Sequence, residues 1–125
     1  MNKPEIRVGL DMDEIARVEN MLASSDRFAE RILGEQELAY FREHGKSAET
    51  LTAAFCAKEA FGKALGTGVR GFALSEVQVL HDPLGKPYYE LSGKAKELAD
   101  EGGWTFELSL THTKTTAAAV AVAYK

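Results

Sequence analysis

The sequence lacks the features that would point to a secreted or membrane protein. Cys56 is the single cysteine in 125 residues, so no internal disulfide can form, and the chain fits a reducing compartment. No apolar run is long enough to cross a membrane, and residues 1–7 carry charge in place of the apolar core of a signal peptide. We therefore expect a soluble cytoplasmic protein with no membrane partner.

An excess of positive charge is also missing. Lysine and arginine total 15 against 19 aspartates and glutamates, a formal net charge of −4, so nucleic acid is not the expected partner. Hydrophobic residues make up 45% and charged residues 27%, which is typical of a folded soluble domain. The length suits one domain with a modest core, so a neighbouring subunit is one way to complete a deep cleft.

The hydrophobic pattern predicts an α+β fold, with helices in the first half packed on a mainly antiparallel sheet. Helices are predicted over 12–23, 27–33, 35–43, 47–65 and 92–100. Strands are predicted over 6–10, 74–80, 86–91, 104–110 and 117–124. Proline and glycine in the segment 82–85 favour a hairpin turn between two of these strands.

The helix predicted over 47–65 is apolar around most of its circumference, which is typical of a core helix. One narrow polar strip remains, and its members are spaced four, three and four residues apart: Thr52, Cys56, Glu59 and Lys63. Glu59 and Lys63 fit an ordinary i, i+4 ion pair. Lys58 falls in the apolar arc, where its ammonium either extends to solvent or points at a bound phosphate.

Asp11 follows the first predicted strand and has Glu14 three residues later, the spacing of a helix capping box. Capping alone explains both residues. The alternative is that Asp11 supplies one oxygen ligand of a magnesium ion and Glu59 the second, since magnesium commonly takes one or two protein carboxylates. Sequence spacing does not decide between these interpretations.

Two further segments concentrate residues with functional potential. Gly66, Thr67 and Gly68 follow the long helix at its negative dipole end, which favours a helix cap over a phosphate loop. Thr111 and His112 lie in a polar segment between two strands, which is either an ordinary turn or part of a site. Cys56 is interpreted as a packed helix residue, and a thiol nucleophile has no support.

Five segments in order resemble one family, the holo-(acyl carrier protein) synthases of the 4′-phosphopantetheinyl transferase superfamily. They are Val8-Gly9-Leu10-Asp11 with Glu14 and Arg17, then 27–33, 55–68, Gly85-Lys86-Pro87 and 111–114. The resemblance spans nearly the whole chain and implies a single phosphopantetheinyl transferase domain over residues 1–125. Many relatives have an arginine where this chain has Ala54, so one phosphate or partner contact is missing or replaced.

The resemblance implies a role for each candidate residue. Asp11 and Glu59 would be the ligands of Mg²⁺, and Glu59 with Lys63 would be catalytic. The coenzyme A site would be formed by Lys58, Lys63, Gly66, Thr67, Gly68, Thr111 and His112. Arg17 and Arg27 would dock the acidic acyl carrier protein. Family members are usually homotrimers with sites at subunit interfaces.

The implied reaction transfers 4′-phosphopantetheine from coenzyme A to a carrier serine and releases 3′,5′-ADP, in support of fatty acid biosynthesis. The serine attacks the β-phosphate, while metal and lysines neutralise charge. The general base is open between Glu59 and a metal-bound water. One rival interpretation is a magnesium-dependent coenzyme A pyrophosphohydrolase, and another is a non-catalytic coenzyme A-binding oligomeric module.

Overall fold

The computed structural model describes residues 3–125. Within these residues there are five α-helices: α1 (Ile15–Ser24), α2 (Arg27–Ile32), α3 (Glu35–Glu43), α4 (Ala48–Leu65) and α5 (Gly93–Gly102). The strands are β1 (Ile6–Glu14), β2 (Val77–His81), β3 (Pro87–Leu91), β4 (Thr105–His112) and β5 (Thr116–Tyr124). A 3₁₀ turn over Leu74–Glu76 precedes β2, where the sequence predicted strand. The predicted α+β class is confirmed.

The strand pairing is antiparallel, as the sequence predicted, but the strands form two sheets where the sequence predicted one. The order β1-β5-β4 makes a three-stranded sheet, and β2 and β3 form the predicted hairpin. In the larger sheet, Ala117 pairs with Asp13 on one side and with His112 on the other. Since β5 lies in the middle, it separates β1 from β4 along the whole sheet.

Helix α4 lies against the larger sheet and joins the clusters of the core. Small residues permit this close approach: alternate residues of β5, from Ala117 to Ala123, are buried alanines. Gly9 on β1 is in such close contact with the helix that a Cβ there would overlap the carbonyl oxygen of Ala60. Residues of α4 contribute to each hydrophobic cluster, which confirms its prediction as the core helix.

The predicted start of the first helix is wrong. Strand β1 continues through Glu14 because every residue from Ile6 onward pairs with β5. Helix α1 begins at Ile15, and its N-cap residue Glu14 makes no side-chain capping bond. Asp11 is therefore a strand residue and not a helix cap, and Asp13 follows it on the same face of β1.

The outer face of the larger sheet, away from α4, is apolar along β1. Alternate side chains there are between 60% and 66% exposed: Ile6, Val8, Leu10 and Met12. Within residues 3–125, no helix is both long and apolar enough to cross a bilayer.

Candidate active site

The inner face of β1 places carboxylates beside helix α4. Asp11 and Asp13 lie two residues apart on this face, and Glu59 lies within their electrostatic reach on the helix. Burial raises the pKa of Glu59, and the nearby Asp11 charge raises it further, while Lys63 opposes both. Asp11, Asp13 and Glu59 form what we name the carboxylate flank of α4, so the fold brings the two predicted metal ligands together.

Cys56 lies beneath the carboxylate flank. It is fully buried, and its Sγ lies 3.6 Å from the carbonyl oxygen of Ala117. Burial and the charges of Asp11, Asp13 and Glu59 raise the pKa of this thiol to about 12. A thiol with this pKa is protonated at neutral pH, which agrees with its interpretation as a packing residue.

Lys63 connects the helix to the strand. Its ammonium donates to the carbonyl oxygen of Leu10 at 2.9 Å and to Asp11 Oδ1 at 3.3 Å. The side chain remains 51% exposed. Lys63 thus forms its ion pair with Asp11 on β1 and not with Glu59, one helical turn away on α4. Its ammonium therefore lies at the carboxylate flank, where it is accessible to a ligand.

The donor set of the carboxylate flank fits Mg²⁺. Carboxylate oxygens are its preferred protein ligands, and magnesium usually retains several waters beside one or two carboxylates. Within residues 3–125, no group of three His, Cys, Asp or Glu residues is arranged to enclose a metal ion. Asp11 and Glu59 are both partly exposed, so a cation held by them would keep coordination positions for water and a substrate phosphate.

Lys58 does not face a substrate site, so its predicted phosphate contact is wrong. Its side chain is 0% exposed. The ammonium donates to Glu37 Oε1 at 2.7 Å and to the carbonyl oxygens of Val77 at 2.6 Å and Leu74 at 3.2 Å. These contacts occupy all three ammonium protons. Burial lowers the pKa of Lys58, while Glu37 opposes that shift.

Glu37 completes this buried ion pair. It also accepts from the backbone N–H of Gly34 at 2.9 Å and of Val79 at 2.8 Å. Sequence reasoning missed Glu37. The available signal was the position of Lys58 in the apolar arc of α4, because a buried ammonium requires an acidic partner.

The segment Gly66–Gly68 is the helix cap that its position predicted. Gly66 has φ of +94°, a left-handed conformation that favours glycine. The amides of Gly66, Thr67 and Gly68 all donate to the carbonyl oxygen of Gly62 at 3.0–3.2 Å. Their hydrogen bonds are therefore used within the cap. Any substrate contact with this turn depends on its shape and on the Thr67 hydroxyl.

A cavity of about 480 Å³ lies on the other side of α4. Thr111 and His112 line it, and His112 Nε2 lies 3.3 Å from Glu49 Oε1. Ala54 also lines the cavity. Sequence reasoning missed four aromatic lining residues: Tyr40, Phe41, His81 and Tyr88. Tyr88 directly follows the Gly85-Lys86-Pro87 segment, which was the available signal.

Within one chain, the predicted site residues fall into two groups. Asp11 and Glu59 lie on one side of α4, and Thr111 and His112 lie on the other side. Strand β5 lies between them, so the backbones of Asp13 and His112 are about two strand spacings, ~9.6 Å, apart.

The two predicted docking arginines are both exposed. Arg17 contacts Asp13 through its guanidinium, and its side chain is 62% exposed. Arg27 begins α2, where its backbone N–H donates to Ser25 Oγ at 3.3 Å.

Comparison with known proteins gives consistent matches over nearly the full chain. The model of the 4′-phosphopantetheinyl transferase superfamily matches residues 7–123. A holo-[acyl-carrier-protein] synthase of Treponema denticola is 44% identical over 117 residues, covering 92% of this chain and 94% of that protein. The crystal structure of holo-[acyl-carrier-protein] synthase from Neisseria meningitidis has a TM-score of 0.89 at 34% identity, covering 95% and 98% of the two chains. A holo-(acyl-carrier-protein) synthase from Bacillus anthracis in complex with CoA (3′,5′-ADP) has a TM-score of 0.79 at 32% identity, covering 95% and 96%.

The sequence and the fold thus match one class of group-transfer enzyme. The chain belongs to the 4′-phosphopantetheinyl transferase superfamily. Within that superfamily it is similar to holo-[acyl-carrier-protein] synthases, which confirms the resemblance carried by the five sequence segments.

Proposed function

We propose that this protein transfers 4′-phosphopantetheine from coenzyme A to a serine of apo acyl carrier protein. The products are holo carrier protein, which fatty acid biosynthesis uses, and 3′,5′-ADP. The observation that carries the proposal is the placement of Asp11, Glu59 and Lys63 together beside α4 in a chain of this superfamily. The holo-synthase relatives do not favour a hydrolase or a silent binding module.

The carboxylate flank supplies the chemistry in this proposal. Asp11 and Glu59 hold Mg²⁺, which supplies neutralisation of pyrophosphate charge when bound. Lys63 binds a phosphate oxygen, since its ammonium is accessible and already lies at the flank. The proton of the carrier serine passes to Glu59 or to a water molecule beside it.

Coenzyme A binds at a subunit interface, between the carboxylate flank of one chain and the Thr111–His112 group of its neighbour. The cavity beside Thr111 and His112 receives one part of the molecule, and its volume falls in the usual range for small-molecule sites. The turn at Gly66, Thr67 and Gly68 shapes the other end, next to Lys63.

The active assembly is a homotrimer with sites at subunit interfaces. Two observations support this: the site residues of one chain lie on opposite sides of α4, and the outer face of β1 is exposed and apolar. Sedimentation of the wild type is expected to give three times the 13.6 kDa chain mass. Val8→Asp, in the middle of that face, is expected to shift the protein to monomer and to remove activity. A wild-type monomer with full activity would contradict the trimer.

The remaining parts of the proposal concern partners and location. The acidic carrier docks on Arg17 and Arg27, both exposed, and neither nucleic acid nor a membrane is a partner. Residues 1–125 act as a single transferase domain. A cytoplasmic location stays a prediction from the cysteine content.

The direct experiment incubates the protein with coenzyme A, Mg²⁺ and apo acyl carrier protein, followed by mass spectrometry of the carrier. We expect the carrier to gain one phosphopantetheine in step with release of 3′,5′-ADP. Release of nucleotide with no mass gain would identify a pyrophosphohydrolase. Coenzyme A binding without either product would identify a binding module.

A further inference from the structure

The junction between β1 and α1 contains an ion pair that the proposed reaction does not use. The guanidinium of Arg17, one turn into α1, contacts Asp13 Oδ2. Asp13 Oδ1 accepts from the backbone N–H of Glu14 at 2.9 Å. The two partners differ in exposure, because Asp13 is only 16% exposed whereas Arg17 is 62% exposed. An external ligand can therefore reach the arginine far more easily than the aspartate.

Asp13 belongs electrostatically to the carboxylate flank. It lies two residues from Asp11 on the same face of β1. Its charge contributes to the raised pKa values of both Glu59 and Cys56. Asp13 thus adds negative potential where the cation of the proposed function binds, and its contact with Arg17 offsets part of that potential.

We propose that Arg17, through Asp13, sets the cation affinity of the carboxylate flank and couples that affinity to docking of the acidic carrier protein. The inference rests on the proposed function, since it assumes a cation at Asp11 and Glu59. A carboxylate of the carrier that takes the guanidinium of Arg17 leaves Asp13 without its counter-charge. The flank then becomes more negative and binds a divalent cation more tightly.

Thermodynamic linkage gives this coupling a sign and a size. If docking raises cation affinity, the cation raises carrier affinity by the same factor. Exposed ion pairs contribute modestly, so the factor is about two- to fivefold. The effect is a preference for the carrier on metal-loaded protein, which favours productive complexes over unproductive ones.

The test is a double-mutant cycle read by cation binding. Mn²⁺ takes the same oxygen ligands as Mg²⁺, and its free concentration is measured by electron paramagnetic resonance. We expect Arg17→Gln to bind Mn²⁺ about two- to fivefold more tightly than wild type, and Asp13→Asn to bind it more weakly by a similar factor. In the double variant the arginine has no aspartate to act through, so Arg17→Gln has no effect on the Asp13→Asn background. Arg31→Gln, an exposed arginine of α2, is the matched control with wild-type affinity.

A second experiment measures Mn²⁺ binding in the presence of the carrier protein. Saturating apo acyl carrier protein is expected to tighten Mn²⁺ binding to wild type by about two- to fivefold and to leave Asp13→Asn unchanged. Circular dichroism of each variant checks that the fold is retained.

Two results separate the inference from the function on which it rests. If Asp11→Asn abolishes Mn²⁺ binding while Arg17→Gln and Asp13→Asn leave it unchanged, the coupling is wrong and the metal site stands. If Asp11→Asn also leaves Mn²⁺ binding unchanged, the metal site of the proposed function fails, and the coupling fails with it.

Discussion

Removing the buried ammonium of Lys58 should lower the free energy of unfolding without lowering the rate of transfer by the folded protein. Lys58→Met keeps a side chain of similar length but leaves the Glu37 carboxylate buried with no cation. Breaking a buried ion pair by removing one partner costs about 3–5 kcal/mol. Since small domains have only about 5–15 kcal/mol of total stability, the loss is large enough to measure without difficulty.

Urea denaturation followed by circular dichroism gives the free energy of unfolding for the cycle of Lys58→Met, Glu37→Gln and the double variant. The double variant removes both charges, so its loss should be smaller than the sum of the two single losses by about 1–3 kcal/mol. The double variant should still lose some stability. The single amide oxygen introduced by Glu37→Gln cannot accept from the backbone N–H groups of both Gly34 and Val79, as the two carboxylate oxygens do. Where a single variant unfolds, the double variant still tests the pair.

Activity separates the structural role of Lys58 from a role in phosphate binding. Per folded molecule, Lys58→Met is expected to keep kcat/KM within about threefold of wild type, because the transition state loses no contact. The reasoning is refuted if Lys58→Met keeps wild-type stability and loses kcat/KM by a hundredfold. That result would mean that Lys58 reaches the substrate.

Three further predictions follow from the same helix. In metal-free buffer, Glu59→Gln should be more stable than wild type at pH 7, and the difference should disappear below pH 4.5. The reason is that the pKa of Glu59 is raised in the folded state, so ionising this carboxyl at neutral pH costs wild-type stability. Thermal unfolding across pH measures this, and an equal difference at every pH would contradict it. Gly62→Ala should cost about 1–3 kcal/mol and slow transfer, because its Cβ would overlap the Gly68 carbonyl oxygen and displace the turn. Wild-type stability and rate for this variant would contradict the close approach. Cys56 should react with a thiol reagent at pH 8 only on unfolding, because its pKa is raised to about 12 and it is buried. Fast modification of the native protein would contradict its placement.

Local sequence signals predicted most of the fold. The core helix, the hairpin and the cap at Gly66 each depend on residues close together in the chain: an apolar arc, turn residues and a glycine after the last helical turn. These elements form where local preference and tertiary packing agree.

The start of α1 was wrong because long-range pairing overrode a local signal. Asp11 and Glu14 have the spacing of a capping box, but nine ladder pairs with β5 keep 6–14 extended. The same pairing turns Asp11 and Asp13 toward α4 and so builds the carboxylate flank.

The partners of the charged side chains also depend on tertiary contacts. Lys58 meets Glu37 from 21 residues away, and Lys63 meets Asp11 from 52 residues away. Sequence periodicity could place each lysine on a face of α4 and could not identify what that face contacts. The family resemblance supplied Asp11 and Glu59 as a pair, and it also supplied Lys58, which the buried ion pair removes from the site.

The most direct test of the central claim measures the initial rate of phosphopantetheine transfer to apo carrier protein by Asp11→Asn and Glu59→Gln at saturating Mg²⁺. Each variant loses a charge that is proposed to act on the transition state, so we expect the rate to fall by about a hundredfold or more. Glu107→Gln, an exposed carboxylate of β4 that pairs with Lys86, is the control and should keep the wild-type rate. Wild-type transfer by either flank variant would contradict the assignment of the active site to Asp11 and Glu59.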